Sequence, residues 1–187
     1  MLNRIIAIFF IIVSAVGYAA YKKYSLESQL SVKQESILAK MPHATFETLE
    51  GKPLELHPLY ENQIRLLVIH FWGTWCAPCE GELPEFLTFI KRFENRSDVK
   101  FIFVAVNDDL IKVKKHLKTL DVPANVMWLL DNKNIHRDIY GTARVPETYV
   151  FSSDFSTLRK YMGPQEWNKA MFFQTFDDFL DLPVTRL

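Results

Sequence analysis

The stretch Phe71-Trp72-Gly73-Thr74-Trp75-Cys76-Ala77-Pro78-Cys79 stands between an apolar run at residues 66–71 and a helical pattern carrying Leu83, Phe86, Leu87, Ile90 and Phe93. A strand that runs straight into a helix whose first turn holds Cys-x-x-Cys is the usual setting of a thiol–disulfide redox pair. With two residues between them, both sulfurs fall within one turn and can close a small disulfide, while the helix amides and dipole favour the thiolate of the outer cysteine. Cys76 precedes the regular helix and is expected to be the more exposed, which makes it the attacking nucleophile. Cys79, one turn in, is then the resolving thiol that releases a mixed disulfide. Two readings compete with this one: a chance pair of core cysteines, and half of a zinc site. Structural zinc takes four Cys or His ligands, whereas the chain offers these two cysteines and five scattered histidines, His43, His57, His70, His116 and His136. Redox chemistry without a metal is the reading carried forward.

The pattern around this stretch alternates. Residues 66–71 form the near-continuous apolar run that a central parallel strand requires, and residues 99–106 repeat it after the first helix. Pro84 is expected to kink that helix, because it cannot donate to the carbonyl of Glu80. After Asn107-Asp108-Asp109, a cap, Leu110, Val113, Leu117 and Leu120 mark one face of a helix ending near Asp121. Its other face, with Lys112, Lys114, Lys115 and Lys118, reads as solvated. A strand at 126–130, one or two helical turns at 135–140, and a hairpin of 147–152 with 157–161 follow. Trp167, Met171, Phe176 and Phe179 mark the core stripe of a terminal helix capped near Pro164-Gln165-Glu166. Ahead of all this, two short strands around Gly51 belong at the sheet edge. The order indicates an α/β domain whose sheet carries helices on both faces.

A chain of 187 residues has room for one domain with a full core plus an extension. With 22 Lys and Arg against 22 Asp and Glu, nothing in the net charge favours nucleic acid. Both cysteines sit in the candidate site, so there is no structural disulfide framework. Residues 5–21 are uncharged and mostly apolar, bracketed by Arg4 and by Lys22 and Lys23. The run is at the short limit for a spanning helix, with Tyr18 and Tyr21 placed for an interface. Gly17-Tyr18-Ala19 also fits the processing site of a cleaved signal. The chain therefore divides into an anchor or signal segment (1–24), a linker (25–41), the α/β domain (42–182) and a tail (183–187). A thiol enzyme behind an export-type segment is coherent as a protein of the bacterial inner membrane with its soluble domain in the periplasm.

Taken together with Arg144-Val145-Pro146-Glu147-Thr148, the active-site stretch resembles the thioredoxin superfamily, specifically its membrane-anchored extracytoplasmic thiol–disulfide oxidoreductases of cytochrome c maturation. The resemblance spans residues 42–182 and implies a thioredoxin-like central mixed sheet. Trp75-Cys76-Ala77-Pro78-Cys79 is similar to the family's active-site motif, with Ala77 and Pro78 as redox-tuning positions and Trp75 at the substrate surface. Pro146 matches the proline that follows a cis bond and faces the disulfide. A cis bond there leaves Val145 beside the cysteines, able to pair with an extended substrate chain. Glu82 matches an active-site glutamate of the maturation reductases. Partial burial would raise its pKa and suit it to proton transfer with Cys79, the alternative being an exposed first-turn carboxylate. His70 departs from the family, standing where thioredoxins carry a buried aspartate. It is either a redox-tuning group that relays a proton or holds charge, or a neutral core histidine. Glu80 and Glu147 are either recognition groups or ordinary surface carboxylates.

The resemblance implies a reductant of disulfides in apocytochrome c or a maturation factor, re-reduced by a membrane dithiol donor and needing no cofactor beyond the Cys76–Cys79 pair. Direction depends on a potential difference between partners. An oxidase, a reductase for copper-centre assembly, or a non-enzymatic thiol chaperone or metal-delivery module therefore stand as alternatives.

Overall fold

The computed structural model describes residues 38–60 and 64–182, together with Ser14, Gly17, Tyr18 and Lys22. The chain divides into two compact units, 1–37 and 38–187. Of the first, the four described residues are helical and exposed. The expected membrane segment at 5–21 otherwise lies outside the described residues, among which no helix is long and apolar enough to cross a membrane.

The second unit is built on β3 (Leu66–Trp72), whose seven residues are all buried. Successive side chains of a strand point to opposite faces. Accordingly Leu66, Val68 and Trp72 enter one core cluster, while Leu67, Ile69 and Phe71 enter another. A strand buried on both sides explains why its sequence is apolar without alternation. β3 pairs in parallel with β4 (Val99–Val106), and β4 in parallel with β5 (Val126–Asp131). On the other side β3 pairs antiparallel with β6 (Glu147–Phe151), which forms the hairpin with β7 (Thr157–Met162). β1 (Thr45–Thr48) and β2 (Pro53–Glu55) complete a mixed sheet of order β2-β1-β5-β4-β3-β6-β7, with the Gly51 hairpin at its edge as expected.

The first core holds α2 (Ala77–Lys91), Val113 of α3 (Leu110–Leu117) and Phe172, Phe176 and Leu180 of α5 (Ala170–Asp181). The opposite face is covered by single helical turns, α1 (His57–Tyr60) and α4 (Ile135–Asp138), and by the chain leading into β1. Helices do lie on both faces, although the long ones share a single face.

Three points differ from expectation. The packed unit begins at residue 38 rather than 42, because Lys40 bridges to Ser156 while Met41 N–H donates to Phe155 and Thr157 N–H to Ala39. α3 ends at Leu117 instead of running to Asp121. The amide and hydroxyl of Thr119 both donate to the His116 carbonyl and close the last turn. α2 runs through Pro84 to Lys91, as expected of a helix carrying Leu83, Phe86, Leu87 and Ile90, and the Thr88 hydroxyl donates to the Pro84 carbonyl. Trp167 precedes α5, and Met171 is 61% exposed, so the buried stripe of that helix is Phe172, Phe176 and Leu180.

Candidate active site

The chain leaves β3 at the carboxyl end of the parallel strands, where open α/β sheets place their ligands. Residues 73–76 then turn into α2. This turn is held from β4's far end. The Thr74 amide and hydroxyl both donate to the Asp108 carboxylate, which also accepts from the Asp109 amide. Asp109, the neighbouring acid, is the N-cap of α3 and accepts from the amides of Ile111 and Lys112. The Asn-Asp-Asp sequence thus does two jobs. Only the capping one was legible, although a helix needs one cap and a second carboxylate was left over. The Trp75 indole N–H donates to the Val106 carbonyl at 3.0 Å, and the ring stays 59% exposed beside the cysteines.

Cys76 and Cys79 are bonded to each other. Cys76 is the N-cap of α2 and is the more exposed of the two, though at 5% against 1% both are largely covered. Pro78, in the first turn, has no amide hydrogen. The Cys79 N–H donates to Cys76 Sγ at 3.3 Å. Once the pair is reduced, that amide and the helix terminus favour negative charge on Cys76 rather than on Cys79. The Val145–Pro146 bond is cis, and the half-buried Val145 places its carbonyl oxygen 3.7 Å from Cys76 Sγ. Ala77 and Pro78 are exposed around the disulfide.

Behind the cysteines lies a polar cluster inside the first core. Glu82, one turn beyond Cys79, is buried, so the exposed-carboxylate alternative does not hold. Its Oε2 accepts from the Gln165 amide at 2.8 Å and from the Trp167 indole at 3.1 Å. Trp167 is fixed by stacking on Phe86, with centroids 3.9 Å apart and planes within 6°, a contact contributing about 0.5–1.5 kcal/mol beyond burial. Sequence periodicity assigned Trp167 to a helix stripe. Its role as a donor to Glu82 depends on a contact 85 residues distant in sequence, which no local pattern reports. His70 is fully buried opposite Thr148 in the β3–β6 register, with Nδ1 2.8 Å from the Thr148 hydroxyl. Its Nε2 is 3.5 Å from Glu82 Oε1.

That last contact is not an ion pair. Burial lowers the His70 pKa to about 3 and raises that of Glu82 to about 7, the two donors on Oε2 opposing the second shift. Burial thus disfavours a charge on His70. Its Nδ1 faces the Thr148 hydroxyl and its Nε2 faces the Glu82 carboxyl. Glu147 also differs from both readings of it. Its place on β6 opposite Phe71 turns it with Tyr149 and Phe151 into the second core. There it is 4% exposed and its carboxylate is 3.0 Å from the Lys160 ammonium. It is not offered to a substrate. Glu80 is exposed, 3.9 Å from His116.

The Glu82 shift carries a stability consequence. A carboxyl whose folded pKa is raised from 4.5 to about 7 binds more protons folded than unfolded between those values, so its contribution is full below pH 4.5 and is lost as pH rises to 7. The Glu82→Gln variant keeps an acceptor for Gln165 and Trp167 but has no charge to bury. Its stability relative to the parent, by urea unfolding of the oxidised proteins, is expected to be near zero at pH 4.5 and to grow by about 3 kcal/mol at pH 7.5. A difference independent of pH would show that Glu82 ionises as freely folded as unfolded.

A sequence profile described as the AhpC/TSA family matches residues 37–159, well over half of the chain. The chain belongs to the AhpC/TSA family. Within this AhpC/TSA setting it is 28% identical over 166 residues to the thiol–disulfide oxidoreductase ResA of Bacillus cereus, covering 88% of this chain and 89% of the relative. With ResA of Bacillus subtilis it shares 27% over 156 residues, covering 83% and 82%. Among solved structures, the thioredoxin-family thiol:disulfide interchange protein of Chlorobium tepidum superposes with a TM-score of 0.61 at 24% identity, covering 76% of this chain and 96% of the other. StoA of Bacillus subtilis does so at 0.51 and 23%, covering 71% and 100%. The fold is thioredoxin-like, and this AhpC/TSA member is a thiol–disulfide oxidoreductase with a Cys76–Cys79 redox pair.

Proposed function

We propose that this AhpC/TSA-family oxidoreductase is a periplasmic reductant, held at a bacterial inner membrane by residues 5–21, that reduces disulfides in apocytochrome c or in a maturation partner. The observation that carries this reading is Glu82, buried one turn beyond Cys79 with a pKa raised to about 7, at the position where the maturation reductases carry an active-site glutamate. The Cys76 thiolate attacks one sulfur of the substrate disulfide, forming a mixed disulfide and expelling the first substrate thiolate. Cys79 then loses its proton toward Glu82 and attacks Cys76 Sγ, which expels the second. Two electrons pass to the substrate, whose two thiolates take up protons, one returned from Glu82 and one from solvent, and the enzyme is left as the disulfide. A membrane dithiol donor restores it by the reverse exchange. Val145 and the exposed Trp75 flank the sulfurs where an extended substrate chain would lie. His70, neutral and 3.5 Å from Glu82, lines the buried side of that carboxyl.

The test is made with the full chain expressed in a bacterium. The protein is expected in the carbonate-washed membrane fraction with its thiols labelled only by reagents that reach the periplasm, and purified reduced protein is expected to reduce a disulfide-bonded Cys-x-x-Cys-His peptide. Recovery as soluble protein would remove the anchor. Failure on the peptide with retention in the membrane would remove the apocytochrome substrate.

A further inference from the structure

The substrate side of the disulfide carries a feature that the exchange chemistry does not use. A groove of about 150 Å³ runs beside Cys76, between Trp75, Val106 and Asn107 on one side and Thr142 to Val145 on the other, with His136 and Arg137 at its end. Arg137 and Arg144 are exposed, and among the described residues neither guanidinium has an ion-pair partner. Two of the acids near the groove residues in the chain are committed elsewhere. The Asp131 carboxylate accepts from the amides of Lys133, Ile135 and His136, and it lies 2.6 Å from His136 Nδ1. Asp108 is spent on Thr74 and Asp109. Asp138, although it follows Arg137, does not line the groove. His136 is thereby held through Nδ1. The groove therefore carries two arginines with no ion-pair partner among the described residues, and its wall includes Val145, whose carbonyl is 3.7 Å from Cys76 Sγ.

We infer that this groove is a subsite for an acidic segment flanking the target cysteine of a polypeptide substrate, with Arg137 and Arg144 pairing its carboxylates while Trp75 covers the adjoining apolar atoms. Guanidinium groups suit this task because they present a planar fork that matches a carboxylate, and unpaired charge at the rim of a site steers encounter as well as binding. The inference rests on the exchange reading of Cys76 and names the substrate chemistry of that site.

Three short peptides, each with one mixed disulfide and differing only in having Glu, Gln or Lys on both sides of the reactive cysteine, test it. Rate constants for reduction by the reduced full chain are divided by those for dithiothreitol, which removes each peptide's own effect on its leaving thiol. The Glu peptide is expected to react roughly fivefold faster than the Gln peptide and the Lys peptide more slowly than both. The preference should vanish near 1 M salt, where the screening length is about 3 Å. In the Arg137→Gln/Arg144→Gln protein the Glu-to-Gln ratio should fall below about 2, and in Arg137→Glu/Arg144→Glu it should invert. Equal rates for the Glu and Gln peptides, or a ratio that survives the double substitution, overturn the subsite and leave the exchange chemistry standing. If no peptide is reduced, the exchange reading falls. The subsite is then decided by tryptophan-fluorescence titration of the oxidised protein with serine-for-cysteine peptides. Tighter binding of the Glu peptide that the double substitution abolishes upholds it, and equal binding overturns it.

Discussion

Replacing Cys79 with alanine is expected to leave the protein trapped as a covalent complex with its substrate, while replacing Cys76 removes exchange altogether. The asymmetry follows from the first turn of α2. Cys76 sits at the N-cap, accepts the Cys79 amide and faces the Val145 carbonyl at the surface of the site, whereas Cys79 lies one turn deeper and almost fully covered. Attack on a disulfide requires access and thiolate character at the same sulfur, and Cys76, the more exposed of two largely covered sulfurs and the N-cap of α2, is favoured on both counts. Without Cys79, the mixed disulfide on Cys76 has no internal thiol to release it. The measurement is non-reducing electrophoresis and mass spectrometry after mixing each variant with a disulfide-bonded protein. Cys79→Ala should accumulate a stoichiometric adduct through Cys76, and Cys76→Ala none. Turnover should drop by about 10³-fold or more in both, as for the loss of an enzyme nucleophile. An adduct through Cys79 in the Cys76→Ala protein would reverse the roles.

The same first turn shows why much of the architecture could be read in advance. The run at 66–71 is apolar without alternation because β3 is buried on both faces, and the Cys-x-x-Cys pair follows it directly because α2 begins within a few residues of the strand end. Such features are local, and local sequence carries them. What was not legible depends on pairings across the fold. Glu82 is held by Gln165 and Trp167 from the segment before α5. His70 Nδ1 reaches the Thr148 hydroxyl because the β3–β6 register sets the two residues opposite each other. Glu147, one residue earlier on the same strand, faces the other core, where Lys160 of β7 covers it. A shift of one residue in that register would exchange the two positions, so no reading of composition could have separated the site residue from the buried ion pair. Met171 failed for a related reason. The helical stripe was phased from Trp167, which is not in the helix, and the phase that packs runs through Phe172.

Equilibration of the Cys76–Cys79 pair against glutathione or dithiothreitol should place its potential nearer the roughly −270 mV of thioredoxin than the roughly −120 mV of a strong oxidase, a gap worth about 7 kcal/mol for two electrons. A potential is raised by whatever stabilises the reduced thiolate more than the disulfide. The helix terminus and the Cys79 amide do this for Cys76, and they act in any protein with this motif. The groups behind the pair decide how far the effect goes. A charged His70 would have added to it, but burial holds the imidazole neutral. Glu82, its pKa raised to about 7 by burial, takes up its negative charge as the pH rises through that value. A negative charge one turn from Cys79 disfavours the thiolate and so lowers the potential. Glu82→Gln removes that charge and should raise the potential by tens of millivolts at pH 8, about 30 mV for each 1.4 kcal/mol of thiolate destabilisation relieved, with a smaller change at pH 6 where Glu82 is mostly protonated. A wild-type potential near the oxidase value, accompanied by rapid oxidation of a reduced dithiol peptide, would sink the reductant reading and make this protein a donor of disulfides instead.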